Sequence, residues 1–425
     1  MSRDLFFSLY LPSMAVSLGQ GIATPVLPIY AKSFGVSFEM AALVVILNGV
    51  GGMLATVPIG WAMERFGRRP VLLAGPFATA ITSFLTAFAP SFGFLLACRL
   101  LNGGAQQMWQ LSRLTMIVDS GKDRERGRMI TWMMQVSSFS GLFSPAVGGF
   151  LATAFGPRVP FIVYGCLAIV AIIPSFWLAH ETDPNRTRSA SGRREQERVP
   201  WGEVIHTMRQ PQMLAFFTAQ FMANFTRGVN MGGLLNLYAA YTYGVGAATL
   251  GLLASANSFL QLPLGFTTGY IMDRWGRKRT IVPGFALLAV AMIFMTSTAF
   301  FHLPFEVYVA AYLSVTFSQG ITSGNMQVMG SDLAPLRGRG QWMAVWRFIA
   351  QAGSQMSPTV FAAVSFLFGY VGSFSVVGVS ALSVSLLVGL CIRETVGRDR
   401  SPEPIPAEAP AAVVSTPAPT ASSSG

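Results

Sequence analysis

Apolar runs of about 20 residues recur from one end of the chain to the other, each long enough as a helix to cross a hydrocarbon core about 30 Å thick. Short charged patches separate them. No other feature limits the fold so tightly, because each run must be buried in lipid and must satisfy its own backbone hydrogen bonds there. Composition agrees. Charged residues make up 11% of 425 and hydrophobic ones 52%, whereas a soluble domain carries about a quarter charged residues. The expected fold is an all-α polytopic membrane protein.

The runs predict spans at 5–30, 39–62, 71–89, 92–118, 129–153 and 159–180, then at 212–241, 247–272, 280–300, 305–331, 340–367 and 371–392. That is six plus six. The first is too long for a signal-peptide core and contains Pro12, Pro25 and Pro28, so it reads as a retained span. The chain divides into an N-terminal six-helix bundle (1–180), a linker (181–211), a C-terminal six-helix bundle (212–392) and a tail (393–425). The linker has five arginines between Arg186 and Arg198 and no apolar run. The tail is rich in Pro, Ala and Ser and is expected to be disordered.

The formal net charge of +11 reads as membrane topology rather than nucleic-acid binding, since the basic residues flank apolar spans. With both termini inside, the inner segments hold 23 of the 29 basic residues and the outer loops only Lys32 and Arg158. The asymmetry points to a multi-pass protein of the cytoplasmic membrane with both termini cytoplasmic. Cys98, Cys166 and Cys391 all fall in spans and read as small hydrophobes. Neither a disulfide framework nor a metal site is expected.

Comparing the chain with itself is the most informative step. The segment GWAMERFGRRP at 60–70 matches GYIMDRWGRKR at 269–279, at an offset of 209, pairing Gly60, Glu64, Arg65, Gly67 and Arg68 with Gly269, Asp273, Arg274, Gly276 and Arg277. Farther on, Asp119, Arg124, Ser144, Pro145, Gly156, Phe161 and Gly165 recur 213 residues later as Asp332, Arg337, Ser357, Pro358, Gly369, Phe374 and Gly378. Parallel repeats of this kind put a shared cavity at their interface near the bilayer midplane.

At these residues the chain resembles the major facilitator superfamily, over residues 5–392. The family's G-x-x-x-D-R-x-G-R-R signature is met by Gly60, Glu64, Arg65, Gly67, Arg68 and Arg69, with Glu in place of Asp. A second copy runs through Gly269, Asp273, Arg274, Gly276, Arg277 and Lys278. The resemblance implies twelve transmembrane helices in two pseudo-symmetric six-helix bundles. It also implies that these residues form a conformational latch, Glu64 meeting the region near Gly340 and Asp273 the region near Arg128. The stretch CRLLNGGAQQMWQLSR resembles the family's R-x-x-x-G element through Arg99, Asn102 and Gly103; in proton-coupled members that arginine influences protonation. The stretch SGLFSPAVGG is similar to an element of drug exporters, with Ser144 replacing a glycine.

Four arginines, Arg99, Arg113, Arg227 and Arg347, fall within spans, and no acid lies deep in one. A charge near the midplane costs on the order of 3 kcal/mol or more and needs a cavity, a carbonyl or a ligand. Such a cavity favours anionic or neutral substrates, and proton coupling would rest on Arg99, Glu39 or Glu306. In the family the first, fourth, seventh and tenth spans line the cavity. Their polar and aromatic residues give the candidates Tyr10, Ser17, Gln20, Gln106, Trp109, Gln110, Asn224, Arg227, Asn230, Gln319 and Asn325.

No phosphate-binding loop and no hydrolase motif is found, so no enzyme activity and no cofactor is expected. The expected function is secondary active transport by alternating access. Export of drug-like or other small organic molecules leads, in the manner of the drug/proton antiporter branch; import of an organic anion or sugar is the alternative. A non-transporting membrane sensor or scaffold is the rival from another class. Expected partners are a small-molecule substrate, the lipid bilayer and protons, with no nucleic acid, and the chain is expected to be a monomer.

Overall fold

The computed structural model describes residues 10–120, 123–178, 200–231, 233–335, 339–392 and 394. Among these, every long element is helical. The first span is α1 (Leu11–Ala23), a 3-10 turn (Thr24–Val26) and α2 (Leu27–Lys32). Its interruption falls where Pro25 and Pro28 withdraw backbone N–H donors. Five unbroken helices follow: α3 (Phe38–Phe66), α4 (Arg68–Ala87), α5 (Phe92–Ser120), α6 (Asp123–Phe155) and α7 (Val159–Leu178).

Short α8 (Trp201–Met208) forms inside the stretch expected to be the linker. It starts after Pro200 and ends at Arg209, just ahead of Pro211, so prolines punctuate both sides. The second half comprises α9 (Pro211–Met231) with α10 (Leu234–Thr242), α11 (Ala247–Trp275), α12 (Arg277–Phe300), α13 (Phe305–Thr322) with α14 (Asn325–Leu333), and α15 (Arg339–Cys391). Helix α15 is two spans, folded back at Gly369, where φ is 69°. Twelve membrane crossings result.

Seven of the described helices are long and apolar enough on their own to cross a bilayer, α15 among them. The other four crossings, α5, α9–α10, α11 and α13–α14, are equally long but more polar or interrupted. They carry Asn102, Gln106, Asn224, Arg227, Asn257, Gln261 and Gln319. These groups need protein or water partners at membrane depth.

The sequence repeat is also a packing repeat. A side chain at Gly75 would strike the backbone of Trp109, and one at Gly284 would strike Thr322. Gly21 sits against Ser144, and Gly228 against Ser354 and Ser357. Each half thus uses a glycine at the same crossing, where two helices approach too closely for a Cβ.

Between the halves, α6 packs along α11. Gly149 lies on the Ala247 carbonyl, Gly251 on that of Pro145, and the Ala146 amide donates to Ser255 Oγ at 3.0 Å. Among the described residues the contact runs as far as Gly141 and Ser258, and Gly265 and Gly269 have no described neighbour within 4 Å of an added Cβ.

Candidate functional site

The two halves meet tightly at one end. Lys32 Nζ donates to the Ala240 carbonyl at 2.7 Å, and Tyr241 OH to that of Val36 at 3.0 Å. Phe38, 3% exposed, lies against Tyr370, Tyr241 and Phe361 with ring centroids at 4.9, 5.9 and 6.2 Å. Its backbone is fixed by an N-cap, the Ser37 hydroxyl accepting from the Met40 amide at 3.4 Å. At the opposite end Glu64 is exposed, and a methyl group placed on Gly60 would meet none of the described residues within 4 Å.

Behind the aromatic plug lies a cavity of about 200 Å³ between the halves. Gln20, Asn48, Arg99, Gln106 and Tyr164 line it from the first half, and Gly228, Ser354 and Gln355 from the second. Asn102, 1% exposed, organises the charged wall. Its Oδ1 accepts from Gln106 Nε2 at 2.8 Å, from Arg99 Nη1 at 3.3 Å and from Asn48 Nδ2 at 3.5 Å, while its own Nδ2 donates to Thr82 Oγ1 at 2.9 Å. Gln106 Nε2 also reaches Tyr164 OH at 3.2 Å. Arg99 Nε is buried with no partner. Among the described residues no carboxylate pairs with Arg99, so the wall keeps a positive charge facing the cavity.

The sequence-derived cavity set therefore divides. Gln20 and Gln106 line the central cavity, together with Arg99. Gln110 is exposed one turn beyond Gln106 on the same helical face. Trp109 is a packing residue instead: it is 2% exposed, its backbone lies against Gly75, and it has the Arg113 guanidinium 5.7 Å from its ring. Tyr10 is likewise in the core at 2% exposure. Ser17 hydrogen-bonds Ser137 at 3.3 Å, tying α1 to α6.

The second-half candidates gather elsewhere. Asn224, Arg227 and Gln319 line a separate cavity of about 40 Å³ between α9, α12, α13 and α14. Asn230 Nδ2 donates to Gln319 Oε1 at 2.8 Å, and Gln319 Nε2 to the Thr226 carbonyl at 3.3 Å. Asn325, fully buried, donates to the Ile321 carbonyl. The reason is rotational: Gly228 presses on Ser354, so its neighbour Arg227, about 100° around the helix, turns away from the central cavity. Asn48, Tyr164 and Gln355 escaped the sequence reading because only four spans were searched. An isolated amide in an otherwise apolar span was the available signal.

Among the described residues, the contacts seen for the latch residues stay within one half. Gly67 (φ 87°) and Gly276 (φ 106°) make the expected tight turns, a conformation other residues rarely adopt. Yet Arg65 stacks on Trp61 and Phe66 of its own helix, Arg274 donates to Tyr270, and Arg69 donates to the Phe176 carbonyl at 2.7 Å. Arg277 pairs with Asp332 at 3.2 Å, and Lys278 Nζ donates to the Ile392 carbonyl. The backbone amides of Arg277 and Lys278 that open α12 donate to Glu394 at 2.9 and 3.0 Å. A carboxylate at a helix start satisfies orphan donors and the macrodipole, so residue 394, expected in the disordered tail, is held. The side chains of Asp273 and Arg128 lie outside the described residues, as do the rest of the tail and any side-chain contact at position 340. Glu39 and Glu306 each open a helix, α3 and α13, at the plugged end, away from Arg99.

The fold and cavity define a class: a two-bundle helical membrane protein whose halves enclose a polar chamber. A family model described as Major Facilitator Superfamily matches residues 9–335 and 216–422, and the chain belongs to that family of membrane transporters. The chain is 25% identical over 226 residues to the quinolone resistance protein NorA of Staphylococcus aureus, covering 52% of this chain and 57% of that protein. It thus spans little more than half the length of this relative. It is 23% identical over 382 residues to the multi-drug resistance efflux pump PmrA of Streptococcus pneumoniae, covering 87% of this chain and 90% of that one. Among solved structures, a D-xylose-proton symporter superimposes with a TM-score of 0.72 at 16% identity, covering 93% of this chain and 98% of that one. That likeness concerns the fold.

Proposed function

We propose that this chain is a secondary active transporter that exports small organic molecules bearing an anionic or strongly hydrogen-bonding group, by alternating access of the central cavity. The observation that carries the reading is that cavity itself, plugged at one end by Phe38 and lined by Arg99 without a carboxylate partner among the described residues. Residues 1–180 and 212–392 are the two moving units, joined by the linker 181–211. Basic residues crowd the unplugged end at Arg65, Arg68, Arg69, Arg274, Arg277, Lys278 and Arg279, so that end faces the cytosol and both termini lie inside. The state described is then open inward.

Export is favoured by the likeness to NorA and PmrA. Import of an organic anion or sugar is the second reading, favoured by the amides and guanidinium of the cavity wall. No carboxylate lines the cavity among the described residues, so a coupling proton would travel with the substrate's own acidic group or with the Arg99 surroundings. In proteoliposomes the protein should exchange an acidic organic substrate, and Arg99→Ala should abolish the exchange. Unchanged exchange by that variant would refute the assignment of Arg99, and exchange indifferent to a pH gradient would refute coupling.

A further inference from the structure

The cavity beside Arg227 is not part of the central chamber and has its own chemistry. Arg227 sits near the middle of the α9–α10 crossing, where an uncompensated charge is costly. Its one hydrogen bond among the described residues is from Nη2 to Ser323 Oγ at 3.3 Å, and no carboxylate lines the space. Across from it the tenth crossing is broken: Gly324 adopts a left-handed conformation (φ 78°), and α14 begins immediately after it. Gly324, Met326 and Gln327 line the cavity, so the start of a nine-residue helix, with its orphan N–H groups and positive dipole end, borders the guanidinium. Gln220, 1% exposed, also lines it, with an amide oxygen buried and unpartnered. An amide flip would turn that group into a donor.

A guanidinium, a helix start and a convertible buried amide line about 40 Å³, and the Ser323 hydroxyl holds the guanidinium in place. That space takes a single monatomic ion or one or two waters and excludes a drug-sized molecule. We propose that it is a binding site for a small monovalent anion of halide size, chloride above all, which neutralises Arg227 and braces α9 against the broken tenth crossing. The site is separate from the substrate chamber, so it stands or falls independently of the transport reading.

The test uses the full-length protein purified in detergent, with thermal unfolding followed as sodium chloride or bromide replaces sodium gluconate at constant ionic strength. Gluconate is too large for the cavity. At a halide concentration of 100 times Kd, the folded state should gain about 100-fold over the unfolded one, giving a saturable rise in the unfolding midpoint. Arg227→Gln should remove the response, Ser323→Ala should weaken it, and Arg99→Gln, in the other cavity, should retain it. An indifferent wild type would mean that the space holds water and would overturn the proposal. So would a response that survives in Arg227→Gln or vanishes in Arg99→Gln. Should Arg227→Gln fail to fold, a bromide-soaked crystal of the wild type decides, since no anomalous peak beside the Arg227 guanidinium would equally overturn it.

Discussion

Replacing Phe38 by Ala should open the plugged end. All three aromatic partners of Phe38, namely Tyr241, Phe361 and Tyr370, belong to the opposite half, so every one of these contacts is lost when the halves part there. The geometries with Tyr370 and Tyr241 are edge-on, at 87° and 88°, the arrangement in which an aromatic pair contributes about 0.5–1.5 kcal/mol beyond burial. Burying the ring itself contributes about 1.5–3 kcal/mol. Together the variant should cost the plugged state about 3 kcal/mol relative to the opened one, which shifts their ratio on the order of a hundredfold. The effect can be read by placing a cysteine at Gln355, in the chamber, on a background lacking Cys98, Cys166 and Cys391, and labelling with a membrane-impermeant thiol reagent from the Lys32 side. Labelling should rise steeply in Phe38→Ala. Phe66→Ala, at an exposed position of the unplugged end, is the control and should leave it unchanged. A folded Phe38→Ala protein that labels like its parent would refute the idea that these rings hold the halves together.

Other substitutions probe the remaining supports. Asn102→Leu strips the acceptor shared by Arg99, Gln106 and Asn48 and should destabilise the protein by about 1–3 kcal/mol while weakening substrate binding, both measurable by thermal unfolding with and without ligand. Gly51→Leu drives a side chain into the Leu100 carbonyl; backbone cannot yield as a flexible side chain can, so a loss of about 2 kcal/mol or more is expected, seen as reduced folded yield and a lower midpoint. Glu394→Gln removes the charge that caps α12 and should cost about 0.3–1 kcal/mol at low salt, with the deficit shrinking as salt is added. Tyr241→Phe loses its bond to the Val36 carbonyl and should favour opening by about 1 kcal/mol, a milder version of the Phe38 result in the same labelling assay.

The features that were legible in the sequence are those fixed by one-dimensional spacing. The twelve crossings, their six-plus-six repeat and the turns at Gly67 and Gly276 follow from run lengths and recurring residues. Matching glycine crossings at Gly75 and Gly284 show that the repeat is kept in packing as well. The direction in which a polar residue points was not legible, because neighbours on a helix differ by about 100° and only a partner helix fixes the rotation. Arg227 and Gly228 are the clearest pair: one position borders the small cavity, the other the central chamber. Trp109 is buried for a related reason, since the absence of a side chain at Gly75 lets α4 close on the Trp109 backbone.

The latch is illegible in a different sense. Under the proposed alternating access its partners depend on which state the molecule occupies, and a sequence encodes both states at once. Among the described residues, the contacts seen between the halves run from Lys32 and Phe38 down to Ser255 and Ser258. Meanwhile Arg277, Lys278, Asp332 and Glu394 fasten the free end of the second half to itself. Glu394 caps the start of α12, whereas the resemblance assigns Glu64 to the region near Gly340 and Asp273 to that near Arg128, so this cap and a latch across the halves use different helix starts and do not compete.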